Sequence, residues 1–317
     1  MQLLSKYEVQ ALAVETMASW RPLERARYQY HMISPDPATV LSVLDSYQNP
    51  DGGFGNGIEP DFWLPQSSPM ATSVGLQYLS ELMPTDEVMH RIDKALDYLS
   101  KAYDARLKGW HAVPASVNRY PHAPWWHHTS QKVTEVKQWG NPTVELLGYF
   151  LKWHPDQGET TFKDQLDYSE KHLLSMDPEH YESHEIFCYL RTYPYLSAHR
   201  QARLGPVLNQ AVQKLVHIQP EDWDKYVARP LDFVAHPRDE RFGIKPEHLT
   251  AQLNYLALTL VNQRTISPTW SWEPWPGLSE TQTWPDWKKD WPLAKAQWEG
   301  VLTLKALIQL NEYSWIR

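Results

Sequence analysis

The stretch QNPDGGFGNGIEPDFWLPQSS, residues 48–68, separates two helical patterns, 37–47 before it and 69–82 after it. Gly52, Gly53, Gly55 and Gly57 allow backbone angles and close approaches barred to other residues. Pro50, Pro60 and Pro65 stiffen what lies between them. Ser67 and Ser68 precede Pro69, which is N-cap chemistry followed by proline at the first helical position. Two carboxylates, Glu59 and Asp61, stand among the aromatics Phe54, Phe62 and Trp63. A loop built this way is expected to have a defined shape.

Outward from this loop, helical periodicity recurs along the chain while strand signals are weak. Residues 3–19 and 22–33 read as two short helices broken at Pro22. Thr85 caps a helix over 86–103, with Asp86 and Glu87 where the helix dipole favours acid. Its apolar residues Val88, Ile92, Leu96 and Leu99 form one stripe, so it is half-exposed. Residues 141–154 are apolar on most sides and read as buried, whereas 160–175 return to a single stripe. Residues 183–193 again look buried and 198–217 one-sided. Such alternation suits an inner ring of helices wrapped by an outer one. Residues 246–263 are apolar all round, which reads as inner. Yet Gln263 and the following Trp270-Ser-Trp272 have the look of a degenerate copy of the first loop, which reads as outer. A short helix within 220–231 would complete twelve helices in six hairpins.

The run Gln48-Asn-Pro-Asp51-Gly-Gly-Phe54 resembles the Q-x-x-D-G-x-W/F repeat of the terpenoid cyclase and protein prenyltransferase superfamily. Its continuation through Ser67-Ser-Pro-Met-Ala-Thr-Ser-Val-Gly-Leu76 is similar to the G-G-F-x-G…T-x-x-A-L run of prenyltransferase β subunits. The whole chain is also similar to a group of bacterial members of the superfamily. The resemblance implies an all-α fold, an (α/α) toroid of about six helical hairpins forming one domain over 1–317. In such a toroid the repeat joins an outer helix to an inner one. No activity carries over residue by residue. The D-x-D-D and D-D-x-x-D runs are missing, and Cys188 has Ile186 where a zinc prenyltransferase would have its aspartate. Nor is there a G-x-S-x-G or a phosphate-binding glycine loop after a strand.

Bulk properties narrow the partners. A chain of 317 residues with formal net charge −8 does not suit nucleic acid or an anionic membrane surface. One cysteine, Cys188, fits a reducing compartment. The charges at Lys6 and Glu8 come too early for a secretory apolar segment, and no long uncharged apolar run follows. A soluble, cytoplasmic protein without membrane insertion is the expectation, with no cofactor and no metal.

Tryptophan marks where chemistry is expected. The loops 49–67, 104–140, 218–245 and 264–291 hold 12 of the 16 tryptophans, and long loops of this kind are usually functional. If they gather at one end of the toroid, they surround a central cavity that takes a small-molecule ligand, largely apolar or prenyl-like. Glu59 and Asp61 then read as an acid/base pair beside an aromatic floor, or else as caps for loop amides and helix N-termini. Asp51, Gly52 and Gly53 read as parts of the turn. The set Arg229, Asp232 and His236 suits a polar or acidic substrate group, with Asp232 and His236 assisting the chemistry, or a surface ion-pair network. Trp63, Trp110, Trp125, Trp126, Trp139, Trp270 and Trp272, with His127, His128 and Glu273, complete the candidate ligand wall. His122-Ala-Pro-Trp-Trp-His127-His128 lacks a metal-ligand spacing. Tryptophans beside paired carboxylates equally suit a carbohydrate-active enzyme that cleaves or epimerises sugars. A non-catalytic binding protein is the third alternative.

Overall fold

The computed structural model describes residues 3–128, 139–278 and 282–317, and the described chain is mostly α-helical with isolated bridges in place of strands. Thirteen α-helices follow in order among the described residues: α1 Lys6–Thr16, α2 Pro22–Tyr28, α3 Ala38–Leu44, α4 Pro69–Ser80, α5 Asp86–Ala102, α6 Gly140–Trp153 and α7 Pro155–Thr161. Then come α8 Lys163–Ser175, α9 Ser183–Thr192, α10 Ala198–Leu215, α11 Pro230–Phe233, α12 Pro246–Gln263 and α13 Trp287–Glu312. Part of the expected loop 104–140 lies outside the described residues.

Local chemistry sets the helix starts. Ser68 accepts the Ala71 N–H ahead of Pro69, and Thr85 accepts the Val88 N–H, so α4 and α5 begin where their caps predict. Along α5 the stripe Val88, Ile92, Ala95, Leu96 and Leu99 is buried, and Glu87, His90, Asp93, Lys94 and Asp97 face water. Almost every residue of α6 from Pro142 to Leu151 is buried, as its all-round apolar pattern requires. Helix α12 departs from its pattern. Leu249, Leu253, Leu256 and Leu260 are buried, but Leu258 and Val261 are exposed, so it packs one side only. Its surplus aliphatics had disguised a single stripe.

Contacts link seven of the helices in chain order. Arg27 of α2 grips Glu81 at the end of α4 with Nε and NH2, and stacks on Tyr78. Gln77 of α4 donates to Glu145 of α6 at 2.8 Å. Helices α6 and α9 meet closely because Gly148 leaves room for Thr192, whose hydroxyl donates to the Val144 carbonyl at 2.8 Å. Phe187 of α9 packs on Phe233 of α11, and the Leu231 N–H reaches Gln252 of α12. Helix α12 contacts α13, and α13 returns to α2, with Gly300 against Trp20. Leu4 and the segment 315–317 then pair through backbone hydrogen bonds. The order of contacts closes on itself.

The 48–68 loop is fastened at both ends. Gln48 Nε2 donates to the carbonyls of Gly52 and of Arg91 in α5. Gly52, at φ +91°, makes the turn, and Asp51 Oδ1 accepts the Gly53 N–H and the Ser67 hydroxyl. Asp51, Gly52 and Gly53 therefore shape the turn. Phe54 is fully buried on α4, where its N–H meets Thr72 and its ring lies over Gly75. A Cβ on Gly75 would stand 2.5 Å from that ring. Gly75→Ala is expected to lower stability by about 1–3 kcal/mol through overpacking. Urea denaturation checks this, and an unchanged midpoint would show that Phe54 is not seated there.

Candidate functional site

Asp61 is 4% exposed and sits where three of the long loops meet. Its own carbonyl accepts the Ala123 N–H, and the neighbouring Trp63 N–H reaches the Pro121 carbonyl, joining the first loop to the second. Its Oδ1 accepts the indole N–H of Trp272 at 2.7 Å, from the last loop, and that of Trp298 at 2.8 Å, from α13. Trp270 stands edge-on to Trp298, and Tyr226 of the 218–229 segment stands edge-on to Trp270. All four loops are thus linked at one place.

Indoles wall this place. Trp63 lies against Trp272, Trp272 against Trp291, and Trp126 against Phe62. Trp125 and Trp287 pack around the same small core of Ala123, Trp272 and Ala294. Trp298 and Trp291 lie in the last helix. Tryptophans one and then two turns apart on an otherwise polar start (Trp287, Trp291, Trp298) are the signal in the sequence that brings Trp298 to this place.

The electrostatics follow from burial. Enclosure raises the Asp61 carboxyl to about 6, against the stabilising pull of the Trp272, Trp298 and Trp270 N–H groups. Glu59 is pushed well above the usual carboxylate range, first by burial and next by the negative charge of Asp61, while Trp126 and Arg21 pull it down. Three enclosed polar atoms here, Glu59 Oε2, Trp126 Nε1 and Trp270 Nε1, lack a well-formed hydrogen bond among the described residues, the Trp126 N–H pulling on Glu59 and the Trp270 N–H on Asp61 from poorer geometry. Buried polar atoms are nearly always paired, so three together call for an explanation.

Tyr226 borders this pair. Its hydroxyl lies 2.6 Å from Nε2 of His184, at the start of α9. Enclosure and then the carboxylates of Glu182, Asp61, Asp232 and Glu59 push the phenol up to about 12. The residue as a whole is 60% exposed, so the carboxylates are the part of this shift that matters for the site. Asp232 accepts the Arg229 N–H and pairs with Lys305 of α13 at 2.8 Å. Arg229 donates to the Trp223 carbonyl and lies over the Tyr255 ring. Asp232 and Arg229 are therefore held by structural contacts, with Asp232 among the acids that act on Tyr226.

Other expected members stand elsewhere. Trp110 is buried among Tyr103, Phe150 and Phe162 and donates to the Leu99 carbonyl. Trp139 donates to the Leu107 carbonyl and packs on Tyr168 and His172. His236 pairs with Glu312 at 2.9 Å. Glu273 is exposed. His127 is buried against His122, with 2.9 Å between their ring nitrogens, and His128 lines a cavity of about 280 Å³ with His111 and Tyr98. Neither Glu59 nor Asp61 lines that cavity. Trp110 and Trp139 turn away from Asp61, since loop membership does not say which way a side chain turns.

Comparison of the chain with family models, with curated proteins and with solved structures finds no significant match to any of them. Among the described residues no helix is long and apolar enough to cross a membrane.

The sign of the Asp61 shift gives a pH test. The folded protein holds this proton more tightly than the unfolded chain, whose aspartate has a value near 3.8. The stability Asp61 contributes is therefore complete below about pH 4 and is lost as pH rises to about 6. Asp61→Asn stays neutral throughout. Relative to the wild type it should gain roughly 2–3 kcal/mol across that window and then level off. Denaturation at a series of pH values checks it, and a pH-independent difference would remove Asp61 as a raised acid.

Proposed function

We propose that the closed helix order is an (α/α) toroid of the terpenoid cyclase and prenyltransferase type, and that the loops around Asp61 form its ligand-binding end. The ligand is a small, largely apolar molecule of prenyl or terpenoid character that carries one polar oxygen. The observation behind this reading is the set of enclosed polar atoms at the carboxylate pair that lack a well-formed hydrogen bond among the described residues: Glu59 Oε2, Trp126 Nε1 and Trp270 Nε1. A ligand oxygen placed there takes the indole N–H groups and meets Glu59.

Chemistry follows from the unequal environments. Glu59, whose carboxyl burial and then the charge of Asp61 raise well above the usual range, serves as general acid. Asp61, oriented by two indole N–H groups, places negative charge beside the positive charge that develops when the ligand is protonated. The indole faces stabilise the same charge. This division of labour suits an acid-initiated reaction with a cationic transition state. A second reading, a carbohydrate-active enzyme, is supported by the polar border of Tyr226, His184, Asp232 and Arg229, since sugar cleavage also passes through a cationic transition state.

Intrinsic tryptophan fluorescence titrated with farnesyl diphosphate, squalene and oligosaccharides separates the readings. Prenyl compounds are expected to saturate the signal, and a response to oligosaccharides alone would favour the second. Silence from all would favour a non-catalytic scaffold. Where turnover is found, Glu59→Gln should lower kcat by about 100-fold or more without a fall in melting temperature. A sharp drop in melting temperature with turnover retained would make Glu59 structural.

A further inference from the structure

Another buried carboxylate lies away from the loops, in a helix buried from Pro142 to Leu151. Glu145 of α6 has a side chain 2% exposed. Its Oε1 accepts from Gln77 of α4 at 2.8 Å and from the Tyr149 hydroxyl at 2.7 Å. Its Oε2 accepts from Arg191 of α9 at 2.8 Å and faces the Cys188 thiol at 3.7 Å. Placing a carboxylate in such surroundings costs several kcal/mol and is made good only by close pairing. The Glu145 charge, after burial, is what holds the Cys188 thiol and the Tyr149 phenol well above their usual ranges. Three helices thus converge to hold one anion.

What the anion holds in turn is Arg191. That side chain is 47% exposed and gives Glu145 a single nitrogen, NH1. Its other edge, formed by Nε–H and NH2, has no protein partner among the described residues. Elsewhere in the molecule that edge is used. Arg21 grips Glu24 with Nε and NH2, Arg27 grips Glu81, and Arg91 grips Asp45 in the same way. A planar edge with two parallel N–H bonds matches a carboxylate.

We propose that Arg191, fixed by Glu145, binds the carboxylate of a small-molecule ligand through its Nε–H and NH2 edge. His184, Cys188 and Arg191 share one face of α9 by their spacing. Arg191 therefore lies about 10 Å along that helix from the His184–Tyr226 contact. The site stands independently of the acid/base role given to Glu59.

Thermal-shift titrations at constant ionic strength, with sodium benzoate, sodium acetate and sodium phosphate as probes, test it. The carboxylates should raise the melting temperature of the wild type saturably. Arg191→Lys keeps a cation for Glu145 but loses the edge, so affinity should fall about tenfold while the unliganded melting temperature stays near the wild-type value. Arg191→Gln combined with Glu145→Gln should abolish the response without leaving a buried charge unpaired. Arg203→Gln, at an exposed arginine, should leave it unchanged. A saturable response that survives both Arg191 variants, no saturable response in the wild type, or saturation by phosphate alone would each overturn the assignment.

Discussion

A carboxylate that must be kept out of water shapes the loop end of this protein. Asp61 is buried, and the N–H groups that satisfy it come from Trp272 and Trp298, which are themselves too large to move without opening the surrounding wall. Removing either donor leaves a buried acceptor underused, at a cost of about 1–3 kcal/mol. The arrangement ties the first long loop to the last loop and to α13. Trp63, Trp291 and Trp126 then pack where that tie puts them. Burial first, and then the charge of the acid at the centre, push Glu59 above the usual carboxylate range, because two carboxylates in one dry place cannot both ionise easily.

Much of this was legible in the residues. The Gln48–Phe54 turn, the caps at Ser68 and Thr85, the burial of α6 and the half-burial of α5 all follow from local rules, and the structure places them accordingly. The long loops also meet, and Glu59 and Asp61 lie enclosed together among them. Direction was not legible. Trp110 and Trp139 belong by sequence to the same long loop as Trp126, yet they turn into the core between α5, α6 and α8. Periodicity also misled in α12, where aliphatics on the outer side filled in a pattern that packing leaves exposed.

Glu145 is the instructive omission. A single acid inside a helix apolar on most sides is a visible anomaly, and attention to the apolar residues around it hid it. Its partners sit on α4 and α9, so no spacing along one segment points to them. Arg191 likewise reads as an ordinary polar residue near a helix end until the carboxylate behind it is seen. Both loop acids and this one share a trait: a charged group in apolar company needs donors from several elements at once. Sequence supplies the anomaly, and only the packing supplies the donors.

The donors that complete Asp61 lie 211 and 237 residues further along the chain. At a synthesis rate of about 5–20 residues per second, the acid leaves the ribosome roughly ten seconds or more before Trp272 follows it. During that interval the loop acids stay hydrated and ordinarily acidic. Their altered acidity is a property of the finished molecule, acquired in the last stage of its assembly.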